Sequence, residues 1–226
     1  MTITTSGPIG TGLSYSDLTL SDMKTDIAGD FARSDLTTEI ANAIERAIEF
    51  YAATRFFFNE TREATFDTVD GQARYSSVDS DDIPNFITLD SVFITVAGQN
   101  RQLRYVTPEE YELLTDDQAT EGEPYAYTYF NTEFGFYPIP DDEYEMRLTG
   151  HINVPAPSDD AETDNVWMTY AYQLIRSRAA SEVALKKVRD YEFAGAMKSA
   201  EREELQRLHS ETSKRIGTGQ IVATAF

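Results

Sequence analysis

The chain has no cysteine and only two histidines among its 226 residues. The absence of thiols excludes disulfides and thiolate metal sites. His151 and His209 lie far apart in the sequence, and neither has a second histidine at the short spacing that zinc sites use. We therefore expect neither a metal ion nor any other cofactor.

Catalytic motifs are also missing. The sequence contains neither the Gly-x-Ser-x-Gly turn of serine hydrolases nor a glycine-rich phosphate loop. Its acidic clusters (79–82, 141–143 and 159–160) do not match a calcium-binding loop, so we expect solvated turns there, with a calcium or magnesium site as the alternative. With 39 acidic residues, some carboxylate pair will reach the separation for glycoside hydrolysis by chance. No catalytic residue is predicted, and we expect a protein that is not an enzyme.

Long apolar runs and an excess of positive charge are absent too. No run reaches the ~18 apolar residues of a transmembrane helix, and the first residues lack the basic and apolar regions of a signal peptide. We therefore expect a soluble protein that is made inside the cell and does not contact a membrane.

The formal net charge is −20. Nine basic and 31 acidic residues precede Asp164, against ten and eight from Asp164 onward. A chain with this excess of negative charge is not expected to bind the phosphate backbone of a nucleic acid.

The spacing of apolar residues changes twice along the chain. A period of about 3.6 residues predicts helices over 20–33 and 37–58, and again over most of 164–216 with a bend near Asp190. Between them, a period of two predicts antiparallel strands over 62–154. Two hairpins are expected in this part, turning at Asp70-Gly71 and at 97–100, and a short helix is expected at 108–114.

These changes predict an α+β fold. A helical bundle built from N- and C-terminal helices is expected to contain an inserted antiparallel β module. The expected organisation is a flexible N-terminus (1–19), the bundle (20–60 and 164–216), a β-rich insertion (61–163) and an extended C-terminal tail (217–226).

Two groups of side chains are candidates for binding other proteins. The helix that begins near 164 has a basic side, which we expect to meet the acidic early part of a neighbouring subunit and so to close a ring; DNA contact is the alternative. A row of alternating tyrosines is expected either in the core or at an interface with a partner. The basic residues are Arg176, Arg178, Lys186, Lys187 and Arg189, and the tyrosines are Tyr125, Tyr127 and Tyr129.

The C-terminal tail is a third candidate. It is apolar, β-prone and uncharged apart from its terminal carboxylate, and Gly217 frees it from the preceding helix. We expect it to dock into a groove or a sheet edge of another protein. A disordered end is the alternative. The docking residues would be Gln220, Ile221, Val222 and Phe226.

The order of elements resembles that of head-to-tail adaptor (connector) proteins of tailed bacteriophages, in their podovirus-like class. The likeness covers roughly residues 20–216. Four features support it: the amphipathic helix pair near the N-terminus; the hairpin over 92–106 followed by Thr-Pro-Glu-Glu-Tyr; Gly-Phe-Tyr-Pro-Ile-Pro at 135–140 before an alternating strand that ends in Asn-Val-Pro; and the helical C-terminal region with its tail.

The resemblance implies a structural virion protein of the head–tail interface, present in the host cytoplasm during assembly. Its subunits would form a homo-oligomeric ring, a dodecamer in that family, that binds the portal protein through the tail. The ring would extend the channel through which packaged DNA leaves during genome ejection, without sequence-specific binding. It would also offer a docking surface to tail nozzle or tail fibre proteins. Two alternatives stay open: a carbohydrate-binding or cell-wall-degrading tail module that uses the aromatic β insertion, and a monomeric α+β protein of another role.

Overall fold

The computed structural model describes residues 18–115 and 120–215. The predicted docking residues in the tail, from Gln220 to Phe226, lie outside this described part. The chain forms two compact units. One, the helical unit, comprises Met1–Thr54 and Pro155–Phe226, and the other, the β unit, comprises Arg55–Val154.

The order of elements confirms the predicted α+β class. The helices are α1 (Leu20–Phe31), α2 (Thr37–Ala52), α3 (Pro108–Thr115), α4 (Val166–Val183) and α5 (Tyr191–Arg215). The strands are β1 (Glu60–Asp67), β2 (Arg74–Tyr75), β3 (Phe86–Val96), β4 (Gln99–Gln102), β5 (Arg104–Tyr105), β6 (Ala126–Phe130), β7 (Glu133–Tyr137) and β8 (Glu145–Ile152).

In the helical unit, α4 is the central helix. α1, α2 and α5 each pack against it, so α4 is buried on most sides and has no single apolar stripe. α2 is amphipathic, and its buried residues recur every three or four positions on the side that faces α4. The buried residues of α4 include Trp167, Met168, Ala171, Tyr172, Leu174, Ile175, Ala179 and Ala180.

α2 is shorter than the sequence pattern predicts. It ends at Ala52 rather than at Phe58, and Phe57–Asn59 form a single 3₁₀ turn. The Asn59 side-chain oxygen accepts a hydrogen bond from the backbone N–H of Phe56 at 2.7 Å. This local bond offers the backbone an alternative to the helix, which explains why the aromatic run does not extend α2.

The predicted bend near Asp190 is confirmed. A π-helical turn, Ala184–Val188, follows α4, and Arg189 then adopts a left-handed conformation. The Asp190 carboxylate accepts a hydrogen bond from the backbone N–H of Phe193 at 2.9 Å and so starts α5. The chain thereby reverses and lays α5 along α4.

The β unit is a sandwich of two four-stranded sheets. One sheet has the order β1-β8-β3-β4 and is antiparallel; the other has the order β2-β7-β6-β5, in which β5 and β6 are parallel. α3 contributes Tyr111 to a small cluster with Val106 and Ala126. The larger core contains side chains from both sheets: Phe66, Tyr75, Phe86, Val92, Ile94, Tyr127, Phe134, Phe136, Met146 and Leu148.

The hairpin predicted at Asp70-Gly71 is wrong. A turn exists there, with Gly71 at a φ of +76°, but β1 pairs with β8 and β2 pairs with β7. The chain therefore crosses from one sheet to the other. The crossing brings the buried rings of Phe66 and Tyr75 together, with centroids 5.3 Å apart. Burial of two aromatic side chains outweighs the local preference for a hairpin.

The second predicted hairpin is present in a tighter form. β3 and β4 are joined by Ala97-Gly98, and both residues have positive φ angles, +50° and +76°. This is the geometry of a two-residue turn that matches strand twist. The chain then leaves the first sheet at the buried Leu103 and enters the second as β5. α3 begins at Pro108, as predicted.

Candidate interaction surfaces

The basic side predicted on α4 is present, but acidic residues of the same chain already contact it. Arg176 Nη2 lies 2.5 Å from a carboxylate oxygen of Asp30 on α1. Lys187 Nζ lies 3.0 Å from Glu39 on α2, and this hydrogen bond lowers the pKa of Glu39. The acidic early part of the chain therefore meets the basic side within a single chain. The predicted contact between subunits at this side stays a prediction.

Arg178 links three helices. Its Nη1 donates to a carboxylate oxygen of Glu201 on α5 at 2.8 Å, and the Tyr51 hydroxyl of α2 donates to the same oxygen at 2.6 Å. The guanidinium carbon lies 3.5 Å from the centroid of the Phe50 ring. Burial, and then the bond to Glu201, raise the pKa of Tyr51. Arg178 thus stabilises helix packing.

Lys186 shares a carboxylate with a second cation. Glu182 at the end of α4 lies 2.8 Å from Lys186 Nζ and 2.6 Å from Arg46 Nη2. Burial alone would raise the pKa of Glu182, but the hydrogen bonds from Lys186 and Arg46 outweigh it and the pKa lies below its usual value. Arg189 is exposed, and among the described residues it forms no ion pair.

Replacing Arg178 with methionine is expected to lower the free energy of unfolding by about 2 kcal/mol. The change leaves Glu201, whose side chain is only 14% exposed, without its cation. Lys186→Met is the matched control, because Lys186 is 64% exposed and Arg46 still neutralises Glu182. The control should lose less than about 0.5 kcal/mol. Urea unfolding followed by circular dichroism measures both, and equal losses would contradict a structural role for Arg178.

The predicted row of tyrosines is divided between core and surface. Tyr127 is 4% exposed in the sandwich core, where burial raises its pKa to about 12. Tyr129 is partly buried against the same core. Tyr125 precedes β6 and is 50% exposed, and its ring stands nearly perpendicular to that of Tyr137, at 83°. Of the three rings, Tyr125 offers the most surface, and an interface role remains a prediction for it.

Carboxylates of two acidic clusters accept hydrogen bonds from residues of their own turns. A carboxylate oxygen of Asp79 accepts a hydrogen bond from the backbone N–H of Ser76 at 2.8 Å, and Asp141 accepts one from the Tyr144 hydroxyl at 2.7 Å. In the described part of the chain, no group of three or more acidic or histidine side chains is placed to hold a metal ion. No helix among these residues is both long enough and apolar enough to cross a membrane.

Two pairs of charged residues were not predicted from the sequence as candidate sites. Lys198 and Arg202 are exposed on α5, and Glu45 and Glu49 are exposed on α2. Among residues 18–115 and 120–215, none of the four takes part in an ion pair. Each pair is four residues apart, so its two charges lie on the same side of a helix. This four-residue spacing of like charges is visible in the sequence and could have indicated both pairs as candidate binding residues.

An open groove of about 200 Å³ lies beside Glu45. On one side of the groove, two contacts hold α1 to Asp160. Lys24 forms an ion pair with the Asp160 carboxylate at 2.5 Å, and the Ser21 N–H donates a hydrogen bond to the Asp160 carbonyl at 3.0 Å. The groove is mostly apolar. Its lining includes Leu20, Ala41, Ile44, Ile48, Ala156 and Pro157.

Comparison with known proteins gives one family. The model of a family described as SU10 adaptor protein matches residues 18–221 and so includes all of the β unit and most of the helical unit. A search of curated proteins finds no match.

Proposed function

Because the chain belongs to the SU10 adaptor protein family, a family of phage head–tail adaptors, we propose that it forms a ring between the portal of a phage head and the tail. Its role is structural. The proposed ring is a homo-oligomer, a dodecamer, that extends the DNA channel of the portal and gives tail nozzle or tail fibre proteins a surface on which to dock.

The extent of the family match is the observation that supports this proposal most strongly. The matched range includes the helices that precede and follow the β unit in the sequence as well as the β unit itself. A match to the β unit alone would suit a separate carbohydrate-binding module. A match to the whole architecture favours the adaptor role.

The charge of the chain suits a channel through which DNA slides. The formal net charge is −20, and most cations of the described residues are held by carboxylates of the same chain, as in the pairs Arg176–Asp30 and Lys187–Glu39. A phosphate backbone would therefore meet few free cations. Packaged DNA would pass the ring without sequence-specific binding.

Attachment to the portal is assigned to Gln220, Ile221, Val222 and Phe226. This assignment rests on their sequence, which is apolar and free of charged side chains. A segment of this kind can add to a sheet edge, where main-chain hydrogen bonds supply affinity and side-chain pockets fix the register. Each subunit of the ring would then contribute one attachment to the portal.

A phage with a nonsense codon in this gene tests the proposal. Infection of a non-suppressing host should yield DNA-filled heads that have portals but no tails, and the purified protein should restore tail attachment when it is added to those heads. Electron microscopy and infectivity measure both steps. Tailed particles that adsorb normally but fail to penetrate the cell wall would contradict the adaptor role and favour the cell-wall-degrading alternative.

A further inference from the structure

One side of α5 presents three exposed residues that have no ion pair within the described part of the chain. Lys198 and Arg202 are four residues apart, and Tyr191 precedes Lys198 by seven. These separations place the three side chains on one side of the helix, over a length of about 16 Å. Tyr191 is 70% exposed. We call these residues the α5 stripe.

A surface of complementary chemistry lies on α2. Glu45 and Glu49 are exposed and four residues apart, and the apolar groove lined by Ala41, Ile44 and Ile48 lies beside them. Lys24 on the rim of the groove is already paired with Asp160, so it does not neutralise these carboxylates by direct contact. We call Glu45, Glu49 and the groove the α2 face.

The α5 stripe and the α2 face do not meet within one subunit. The side of α2 that approaches α5 is marked by Tyr51, whose hydroxyl donates to Glu201 of α5 at 2.6 Å. Glu49 precedes Tyr51 by two residues, so it lies about 200° around the helix and points away from its own α5. A contact between the two surfaces therefore requires a second copy of the chain.

We propose that the α5 stripe of one copy docks on the α2 face of the next, with Lys198 and Arg202 opposite Glu45 and Glu49 and the Tyr191 ring in the groove. The two surfaces are different patches, so the contact is heterologous and can be repeated around a closed ring. Opposite charges fix its register, and the aromatic ring contributes apolar burial. This inference rests on the proposed ring and names the contact that closes it.

The cations of the α5 stripe suit this role better than the basic side of α4. Arg176 and Lys187 on that side already bind carboxylates of their own subunit. A neighbouring subunit would have to displace those partners before it could gain an ion pair. Lys198 and Arg202 require no such exchange.

Two charge-reversed variants of the full chain test the contact. Glu45→Lys/Glu49→Lys and Lys198→Glu/Arg202→Glu each place like charges opposite one another. Either variant alone should self-associate about 100-fold more weakly than the wild type. An equimolar mixture should assemble again with alternating subunits, because the two altered surfaces attract each other and so do the two unaltered ones. Sedimentation velocity measures all samples.

A third variant controls for net charge. Glu109→Lys/Glu112→Lys reverses two exposed glutamates of α3, so it changes the net charge by as much as Glu45→Lys/Glu49→Lys, and it should assemble like the wild type. Three outcomes would each overturn this contact: equal assembly of all variants, loss of assembly in the control, or a mixture that stays dissociated. In each case, assembly of the wild type would still support the ring. A wild-type chain that stays monomeric at its highest soluble concentration would overturn the contact and the ring together.

Discussion

Replacing Gly150 with alanine is expected to lower the free energy of unfolding by about 3 kcal/mol. Gly150 lies in β8, between β1 and β3. A Cβ atom there would lie 2.3 Å from the carbonyl oxygen of Thr88 and 3.0 Å from the Cα of Leu89. Both neighbours are backbone atoms, so no side-chain rotation relieves the clash. β3 would have to move away from β8, and the sandwich core would lose contacts on both strands.

Urea unfolding followed by circular dichroism measures this loss. Gly195→Ala is the matched control, because apart from its chain neighbours and the adjacent backbone of α5 no atom lies within 4 Å of the corresponding Cβ position. Alanine is favoured over glycine inside a helix by up to about 1 kcal/mol, so the control should be stabilised. An alanine at position 150 that costs nothing would contradict the close approach of β3 to β8.

Deleting residues 217–226 is expected to abolish attachment to portal-capped heads and to leave the subunit folded. Burial of Ile221, Val222 and Phe226 would contribute ~1.5–3 kcal/mol each before ordering costs. In the proposed ring these contributions would act together, so the attachment of the intact protein would become effectively irreversible through avidity. Co-sedimentation with tailless heads measures binding, and circular dichroism of the truncated chain checks its fold.

A substitution that keeps the three apolar anchors is the control for this deletion. Thr218→Ala/Thr224→Ala changes two polar side chains of the same segment that are not among the assigned docking residues, and it should bind heads like the wild type. Ile221→Asp/Phe226→Asp should bind like the deletion, because it buries charge at two anchors. Truncated protein that joins heads at wild-type levels would show that portal binding lies elsewhere in the chain.

Much of the fold follows from the period of the apolar residues. Helix and strand periods depend on neighbouring residues, so the sequence located the β-rich part and the start of α3 at Pro108. Strand pairing depends on distant residues. The crossing at Asp70-Gly71 brings Phe66 and Tyr75 into a core that also contains Phe136, and no local pattern encodes that choice. The resemblance to phage adaptors, drawn from the order of elements, is confirmed by the family match.

The candidate surfaces were harder to predict, because the ion pairs of the helical unit join distant residues. Arg176 and Asp30 are 146 positions apart. The sequence contains an acidic early part and a basic side on α4. It does not show whether these opposite charges meet within one chain or between two copies of it. Lys198 and Arg202 stand out only after the ion pairs within the subunit have been assigned.

Cryo-electron microscopy of portal rings mixed with the full chain tests the adaptor role most directly. A ring of this protein coaxial with the portal is expected, with one continuous channel and with residues 217–226 of each subunit in contact with the portal. Portal rings without bound protein, or with single subunits bound away from the channel axis, would contradict it.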